Sequence, residues 1–276
     1  MKLVYADNNA TTQVAPEVFE EMAPYLTEYY GNPSSMYTFA GHVGDKIREA
    51  RGKVADLIGA SPEEIDFTSC GTESDSTGIH AALRSNPDKR HVITTRVEHP
   101  AVKSLCEDLA KRGYRVTFVP VDHQGNLDLD YLFDHLSDDT AVVSIMWANN
   151  ESGVIFPISQ IAETLQDRGI VFHTDAVQAV GKIPINLSTL PVDMLSLSGH
   201  KLHAPKGVGA LYVRKGTKFS PFLIGGHQEH GRRGGTENTA SIIALGKACE
   251  LAGQQIDDEN TRIKRLRDKL ENELLA

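Results

Sequence analysis

Apolar residues recur along this chain in two patterns, one typical of helices and the other of strands. Between residues 42 and 60 they fall three or four positions apart, which is the spacing of one helix face, at Val43, Ile47, Ala50, Val54 and Leu57. Short, nearly continuous apolar runs predict buried strands. The predicted helices are 16–30, 42–60, 100–112 and 158–167, with one more opening near residue 71. The predicted strands are 65–68, 91–95, 116–121, 141–147, 170–174, 194–197 and 209–213.

Helices and strands alternate with short connections, and this order predicts an α/β fold with a mostly parallel sheet covered by helices on both faces. In such sheets, ligands bind at the carboxyl ends of the strands. Polar residues follow five of the predicted strand ends, so we expect the sheet to bring them to one edge. These residues are Cys70, Gly71, Thr72, His99, Asn149, Asn150, Asp175, Gln178 and the stretch from Ser198 to Lys201.

Composition and charge exclude several classes of function. The 276 residues carry a net charge of −9 with no basic run, so nucleic acid is not an expected partner. No apolar run is long enough for a signal peptide or a bilayer-spanning helix, so no membrane association is expected. The three cysteines form no C-x-x-C pair, which argues against a disulfide framework and fits reduced thiols. We therefore expect a cytoplasmic protein.

Each polar group beyond a strand end has an ordinary structural explanation beside a functional one. Gly71 and Thr72 open a helix whose free N–H groups suit a phosphate, but glycine turns of this kind are commonly structural. Asp175 could cap a helix, or it could present a carboxylate to a ring nitrogen or a metal. His99 and Lys201, taken singly, could be solvated loop residues.

Taken together, these groups match the parts that hold pyridoxal 5'-phosphate (PLP). A lysine forms a Schiff base with the aldehyde of this cofactor, and Lys201 is the candidate. An aspartate such as Asp175 beside the pyridine nitrogen keeps that nitrogen protonated, so that the ring can accept electrons. An imidazole such as His99 can stack on the ring or relay protons. Covalent attachment would explain why a lysine stands directly after Ser-Gly-His, between a strand and a loop.

Long stretches of the chain resemble the cysteine desulfurases, most of all the nitrogen-fixation type, a group within the class V aminotransferase-like enzymes that use PLP. The resemblance extends to about residue 238 and continues more weakly to the end. It implies the type I fold of PLP-dependent transferases. The matching stretches are YADNNATT, GNPSS, FTSCGTESDST, VEHPAV, VSIMWANNESG, FHTDAVQAVGKIPI, LSLSGHKLHAPKGVGALY and GGHQEHGRRGGTEN.

The resemblance implies a role for each residue around the cofactor ring. Lys201 looks like the Schiff-base lysine, and Lys206, the rival lysine, lies in a loop. Asp175 would contact the pyridine nitrogen and Gln178 the ring hydroxyl. His99 would stack over the ring and shuttle protons.

The same resemblance implies contacts to the phosphate, the substrate and a second subunit. The residues implied to hold the phosphate are Gly71, Thr72, Ser198 and His200. Asn150 would help to position the substrate or the ring. Thr236 would reach the phosphate of a partner subunit, which implies a homodimer with shared active sites.

The implied reaction converts L-cysteine to L-alanine and leaves enzyme-bound sulfur for iron–sulfur cluster assembly, with an iron–sulfur scaffold protein as the acceptor. The expected organisation is an N-terminal arm (1–15), a large PLP-binding domain (16–250) and the start of a helix connecting to a small domain (251–276). Family members continue beyond this point into a small domain that carries the nucleophilic cysteine. We therefore expect this chain alone not to complete the cycle without an added thiol.

Two alternatives remain open. The chain could be another class V enzyme, such as an aminotransferase or a selenocysteine- or kynurenine-cleaving lyase, or it could be a non-enzymatic remnant that binds PLP or a partner. His230 stands where relatives usually have arginine, and it makes the sequence HQEH look like a metal site. Two histidines without a third ligand are weak support for a metal, so none is expected.

Overall fold

The computed structural model describes residues 4–276, so residues 1–3 of the expected N-terminal arm lie outside the described residues. The strands are β1 (Ile65–Thr68), β2 (His91–Thr95), β3 (Arg115–Val119), β4 (Thr140–Ser144), β5 (Val171–Asp175), β6 (Met194–Ser198) and β7 (Gly209–Val213). The helices are α1 (Pro16–Met22), α2 (Pro24–Thr27), α3 (Thr38–Ile58), α4 (Gly71–Ser85), α5 (Pro100–Lys111), α6 (Leu129–Asp134), α7 (Ile158–Asp167), α8 (Thr239–Asp258) and α9 (Lys264–Leu275). The described elements thus alternate largely as the apolar pattern predicts.

The strands form one seven-stranded sheet in the order β1-β7-β6-β5-β4-β2-β3. Strand β7 is antiparallel to both of its neighbours, β1 and β6, while the other neighbouring pairs are parallel. Six strands therefore run in one direction, and their carboxyl ends share one edge of the sheet. The predicted α/β class with a mostly parallel sheet is confirmed.

Helices cover both faces of the sheet. Neighbouring residues of a strand point to opposite sides, and here both sides are apolar. Val143 and Leu195 belong to a core that includes residues of α3, α7 and α8. Their neighbours Val142 and Met194 belong to a second core with residues of α4 and α5. This two-sided burial explains why the strands read as continuous apolar runs without alternation.

Residues 16–30 do not form the single helix that their apolar spacing predicts. Helix α1 ends at Met22, and α2 runs only from Pro24 to Thr27. Proline has no N–H to donate, and its ring clashes with the preceding turn of a continuous helix. The prediction was wrong because it weighed the apolar period and neglected Pro24.

The predicted strand 116–121 is too long and helix α6 was missed. Strand β3 ends at Val119 because the next residue, Pro120, has no N–H for the ladder. Helix α6 has six residues, which is too short to show a helical period. A cap could have revealed it, since the Tyr131 N–H donates to the side chain of Asp128 at 2.9 Å.

Helices α3 and α8 pack so closely that a side chain at Gly246 has no room. A Cβ atom at Gly246 would lie 2.5 Å from the Cα atom of Ala50. We expect Gly246→Ala to lower the free energy of unfolding by about 1–3 kcal/mol, because backbone must shift to admit the methyl group. Urea titration of the purified variant measures this change.

Gly253, on the same helix, supplies the matched control. A Cβ atom there would meet only the Leu57 Cδ1 atom, at 3.7 Å, an ordinary van der Waals distance. Because alanine favours a helix over glycine by about 1 kcal/mol, Gly253→Ala should leave stability unchanged or raise it. Equal urea midpoints for the two variants would refute the close-packing argument.

Within residues 4–276, none of the helices combines the length and the apolar content needed to cross a lipid bilayer.

Candidate active site

A cavity opens at the carboxyl edge of the sheet. Its volume of about 170 Å³ far exceeds the roughly 10–15 Å³ that one water molecule needs, so it can admit a small organic group. Nine of the ten residues with an expected site role line it, namely Gly71, Thr72, His99, Asn150, Asp175, Gln178, Ser198, His200 and Lys201. The expected meeting of five chain segments at one edge is confirmed.

The helix that begins at Gly71 presents its amino end to this cavity. A Cβ atom at Gly71 would lie 2.9 Å from the Val177 Cγ2 atom, so only glycine lets α4 start so close to the turn after β5. The hydroxyl of Ser198 is buried beside it and has no hydrogen-bond partner within the described protein. Free N–H groups and an unpaired hydroxyl at a helix N-terminus form a site that fits a phosphate.

Asp175 is the last residue of β5 and is only 5% exposed. One carboxyl oxygen accepts the Val177 N–H at 2.9 Å. Burial raises the pKa of Asp175, while the Val177 N–H, His99 and Lys201 act in the opposite direction. A buried carboxylate with so few partners fits a positively charged group in the cavity, such as a protonated ring nitrogen.

Lys201 ends a short 3₁₀ turn that follows β6. Its amino group donates to the backbone carbonyl of Ala10 at 3.0 Å and also to that of Asn9. Burial and the charge of Lys182 lower the pKa of Lys201, whereas Asp175 raises it. A lower pKa increases the fraction of neutral amine, which is the form that adds to an aldehyde.

His99 caps the amino end of α5. Its Nδ1 atom accepts the Ala101 N–H at 3.1 Å. The hydrogen-bond pattern therefore assigns the proton of the neutral ring to Nε2. Because the ring borders the cavity, it can exchange that proton with a bound molecule.

The N-terminal segment forms part of the cavity wall. The side chain of Gln178 donates to the Asn9 carbonyl at 2.9 Å. The Nδ1 atom of His200 lies 3.1 Å from the Thr11 hydroxyl. Burial and the charges of Lys201 and Lys206 lower the pKa of His200, which favours the neutral ring, with one nitrogen as donor and the other as acceptor.

Two further acidic residues near the cavity were missed by the sequence reasoning. Asp75 lines the cavity, and one of its oxygens is buried without a hydrogen bond. Burial, followed by the charge of Asp175, raises the pKa of Asp75 well above the usual range. Glu98, next to His99, is 5% exposed, and its pKa is raised by burial to about 8. Both stand in stretches, TESD and VEHP, that look like ordinary polar turns. Only the packing of α4 and α5 on the sheet buries them.

The buried carboxyl of Glu98 should make the stability of the cofactor-free protein fall as pH rises. Its pKa is raised in the folded protein from 4.5 to about 8, so between these values the folded state holds a proton that the unfolded state has lost. We expect Glu98→Gln to reduce this fall over that pH window. Urea unfolding at several pH values measures the slope.

Glu63→Gln, at an exposed glutamate, controls for the loss of one carboxylate. Asp75 and Asp175 have pKa shifts of the same sign, so part of the fall should survive in Glu98→Gln. A slope in Glu98→Gln equal to that of Glu63→Gln would contradict a buried, protonated Glu98.

Thr236 is the expected site residue that does not line this cavity. It lies in a second cavity, together with Ser69, Glu229, Arg233 and Glu237. Nearby, the Arg233 guanidinium pairs with Glu73, in the first turn of α4, at 2.8 Å. The two cavities thus flank the start of the same helix.

Known proteins are similar to this chain in both sequence and fold. The pattern of the family described as aminotransferase class-V matches residues 4–276. Cysteine desulfurase 2 of Trichormus variabilis is 59% identical over 276 residues, which cover 100% of this chain and 69% of that protein. Cysteine desulfurase NifS of Azotobacter vinelandii is 59% identical over 274 residues, which cover 99% of this chain and 68% of that protein. The chain belongs to the cysteine desulfurases.

Solved structures agree with this assignment. One described as a NifS-like protein matches with a TM-score of 0.95 and 41% identity, covering 99% of this chain and 75% of that chain. Another, described as SspA in complex with cysteine, matches with a TM-score of 0.86 and 38% identity, covering 89% of this chain and 72% of that chain. Cysteine desulfurases are PLP-dependent, and the helix N-terminus, the buried Asp175 and the amine of Lys201 fit that cofactor.

The HQEH stretch brings too few ligands together in the structure to match a metal site. Within the part of the chain that the structure describes, no group of three or more His, Cys, Asp or Glu side chains is arranged to hold a metal ion. His230 instead lies 3.6 Å from the carboxylate of Asp66.

Proposed function

We propose that this protein binds PLP in the cavity at the carboxyl edge of the sheet and removes sulfur from L-cysteine there. The observation that carries the proposal is the convergence of Lys201, Asp175, His99 and the amino end of α4 on one cavity. The family membership supports the reaction class, and a protein of similar fold has been solved in complex with cysteine.

The cofactor would contribute an aldehyde that captures amines and a ring that accepts electrons. Lys201 would hold the cofactor covalently through its amine, whose pKa is lowered. Asp175 would keep its charge beside the ring nitrogen, where a positive partner compensates for burial. Gln178 would donate to the ring hydroxyl through the second N–H of its amide, since the Asn9 carbonyl occupies only one.

The phosphate would lie against the amino end of α4. Gly71 and Thr72 offer backbone N–H groups there, and the buried Ser198 hydroxyl would find the partner that it lacks. His200 borders the same cavity and would donate a further hydrogen bond.

His99 would hold and move the proton that the reaction transfers. Its Nδ1 atom is occupied by the Ala101 N–H, so Nε2 is the atom free to exchange a proton with the substrate. Asn150, which also lines the cavity, would orient the substrate or the ring.

The overall transfer balances when a thiol takes the sulfur. L-cysteine and a thiol RSH give L-alanine and the persulfide RSSH, with the C–S bond of cysteine broken and one S–S bond formed. In the cell we propose that an iron–sulfur scaffold protein in the cytoplasm receives this sulfur, in support of sulfur mobilisation for nitrogen fixation.

A second copy of the chain would complete the assembly. Thr236 lines a separate cavity beside the start of α4, and we propose that it reaches the phosphate of a partner subunit in a homodimer. We further propose an arm at 1–15, a PLP-binding domain at 16–250 and a connecting helix from 251 to 276, with this last boundary falling inside α8.

Product formation tests the proposal directly. The purified protein, loaded with PLP, is incubated with L-cysteine in the presence and absence of dithiothreitol, and alanine is measured by chromatography. We expect alanine with the thiol and little without it. L-selenocysteine, L-kynurenine and an amino donor with a keto acid test the alternative class V reactions under the same conditions.

Two outcomes would overturn the proposal. Keto acid formation or kynurenine cleavage without alanine from cysteine would assign a different class V reaction. A protein that binds PLP but transforms none of these amino acids would be a binding protein only.

A further inference from the structure

The turn that carries Lys201 is held by a residue from the other end of the sequence. Thr12 is 4% exposed and lies against this turn. Its backbone N–H and its hydroxyl each donate to the carbonyl of His200 at 2.9 Å. The same hydroxyl accepts the N–H of His203 at 2.9 Å. One threonine thus contacts the backbone on both sides of Lys201.

The far side of the turn is strained and depends on these contacts. His203 has φ = 62°, a left-handed backbone conformation that residues other than glycine rarely adopt. Besides Thr12, its ring Nδ1 lies 2.9 Å from the Gln13 carbonyl, and its own carbonyl accepts the Ala15 N–H at 3.0 Å. Such strain persists only where the surroundings hold it in place, and it is common at functional sites.

The direction of the Lys201 side chain follows from the backbone of this turn. A reactive group must be held close to its productive position by neighbours that are themselves fixed. We infer that Thr12 is a positioning residue for Lys201, bracing the turn from His200 to His203 so that the amine points into the cavity. This inference rests on the proposed function, in which Lys201 holds the cofactor.

The hydroxyl group is the part of Thr12 that braces the turn from His200 to His203. A hydroxyl offers one donor and two acceptor positions, and here it both donates to His200 and accepts from His203. Valine has the same shape but neither capacity, so Thr12→Val would leave the N–H of His203 without that partner. Serine keeps both hydrogen bonds and loses only a methyl group.

The test measures PLP binding rather than turnover. Apparent dissociation constants for PLP come from visible absorption, and the fraction of Lys201 labelled at saturation comes from borohydride reduction and peptide mapping. Thr12→Val should weaken PLP binding on the order of tenfold and lower the labelled fraction, because a strained turn loses a brace. It should also shift the pH midpoint of the visible band. Thr12→Ser should stay within about threefold of the wild-type value.

Thr77→Val is the matched control. Thr77 is a buried threonine of α4 whose hydroxyl has no hydrogen-bond partner within the described protein. Its replacement by valine therefore removes the same hydroxyl group without breaking a hydrogen bond. We expect its PLP affinity, labelled fraction and pH midpoint to match the wild type.

A purely structural role for Thr12 would give a different result. Thr12→Val would then melt at a lower temperature, but its PLP affinity at a temperature where it is folded and its pH midpoint would be unchanged, and the inference would be overturned. If Thr12→Val does not fold, the double variant Thr12→Val with His203→Gly replaces it, because glycine adopts the left-handed conformation freely. Near wild-type PLP labelling in the double variant, whose turn is relieved of strain, supports the brace, and labelling well below the wild-type value contradicts it.

The wild-type protein, measured first, separates this inference from the function on which it rests. Failure of the wild type to attach PLP at Lys201 would overturn both. Normal labelling of the wild type together with normal labelling of Thr12→Val would overturn the positioning role alone.

Discussion

Replacement of Lys201 by alanine should abolish covalent attachment of PLP and lower alanine formation from L-cysteine on the order of a thousandfold or more, as expected when a covalent nucleophile is removed. The amine of Lys201 lines the cavity and has a lowered pKa, so it is the nucleophile that the geometry offers. Borohydride reduction of the PLP-loaded protein, followed by peptide mapping, measures the attachment. Visible absorption of the two proteins provides an independent reading.

Lys206→Ala is the natural control for this experiment. Lys206 stands five positions further along the same loop, is exposed and does not line the cavity. The control should keep full labelling at Lys201. Labelling at Lys206 in the wild type, or undiminished labelling of Lys201→Ala, would assign the cofactor to another amine.

Asp175→Asn should reduce alanine formation about 10²–10³-fold while leaving the fold intact. The amide keeps the shape of the carboxyl and still accepts the Val177 N–H, but it removes the negative charge that would face the ring nitrogen. Loss of one preorganised electrostatic partner in a buried site commonly has an effect of this size. Single-turnover alanine formation, together with the visible spectrum of the bound cofactor, measures the change.

Asp193→Asn tests whether a half-buried aspartate elsewhere at the sheet would behave in this way. Asp193 immediately precedes β6, at the opposite edge of the sheet, and its carboxylate accepts the Phe172 N–H at 2.8 Å. Its replacement should change stability and leave the cofactor spectrum and the rate unaltered. Equal losses of rate in Asp175→Asn and Asp193→Asn would show that the charge at Asp175 has no special place in the reaction.

The apolar pattern predicted the α/β class because it follows directly from local physics. Continuous apolar runs such as 209–213 mark strands buried on both faces, and the helical spacing of 158–167 marks a helix with one buried side. Errors arose where a local stereochemical rule overrode the period, as at Pro24, or where an element such as α6 was too short to show one.

The site was predictable to the extent that it depends on strand ends. Since six strands run in one direction, the residues after their carboxyl ends meet at one edge, and the polar groups that follow β1, β5 and β6 met there as expected. Asp75 and Glu98 were missed, because no residue type or spacing announces that a carboxyl will be buried. Their raised pKa values come from desolvation, which depends on every atom packed around them.

By itself, the sequence determined the alternation of helices and strands, the mostly parallel arrangement of the sheet and the candidate residues of a PLP site. These depend on local periodicity and on residue chemistry. The tertiary structure decided which groups share a cavity, which carboxyls lose their water and how the turn at Lys201 is held. Thr12 and His200 are 188 positions apart, and their hydrogen bonds exist only once the N-terminal segment has docked on the folded sheet. Contacts between such distant residues follow from the packing of the whole chain, since no local rule relates one to the other.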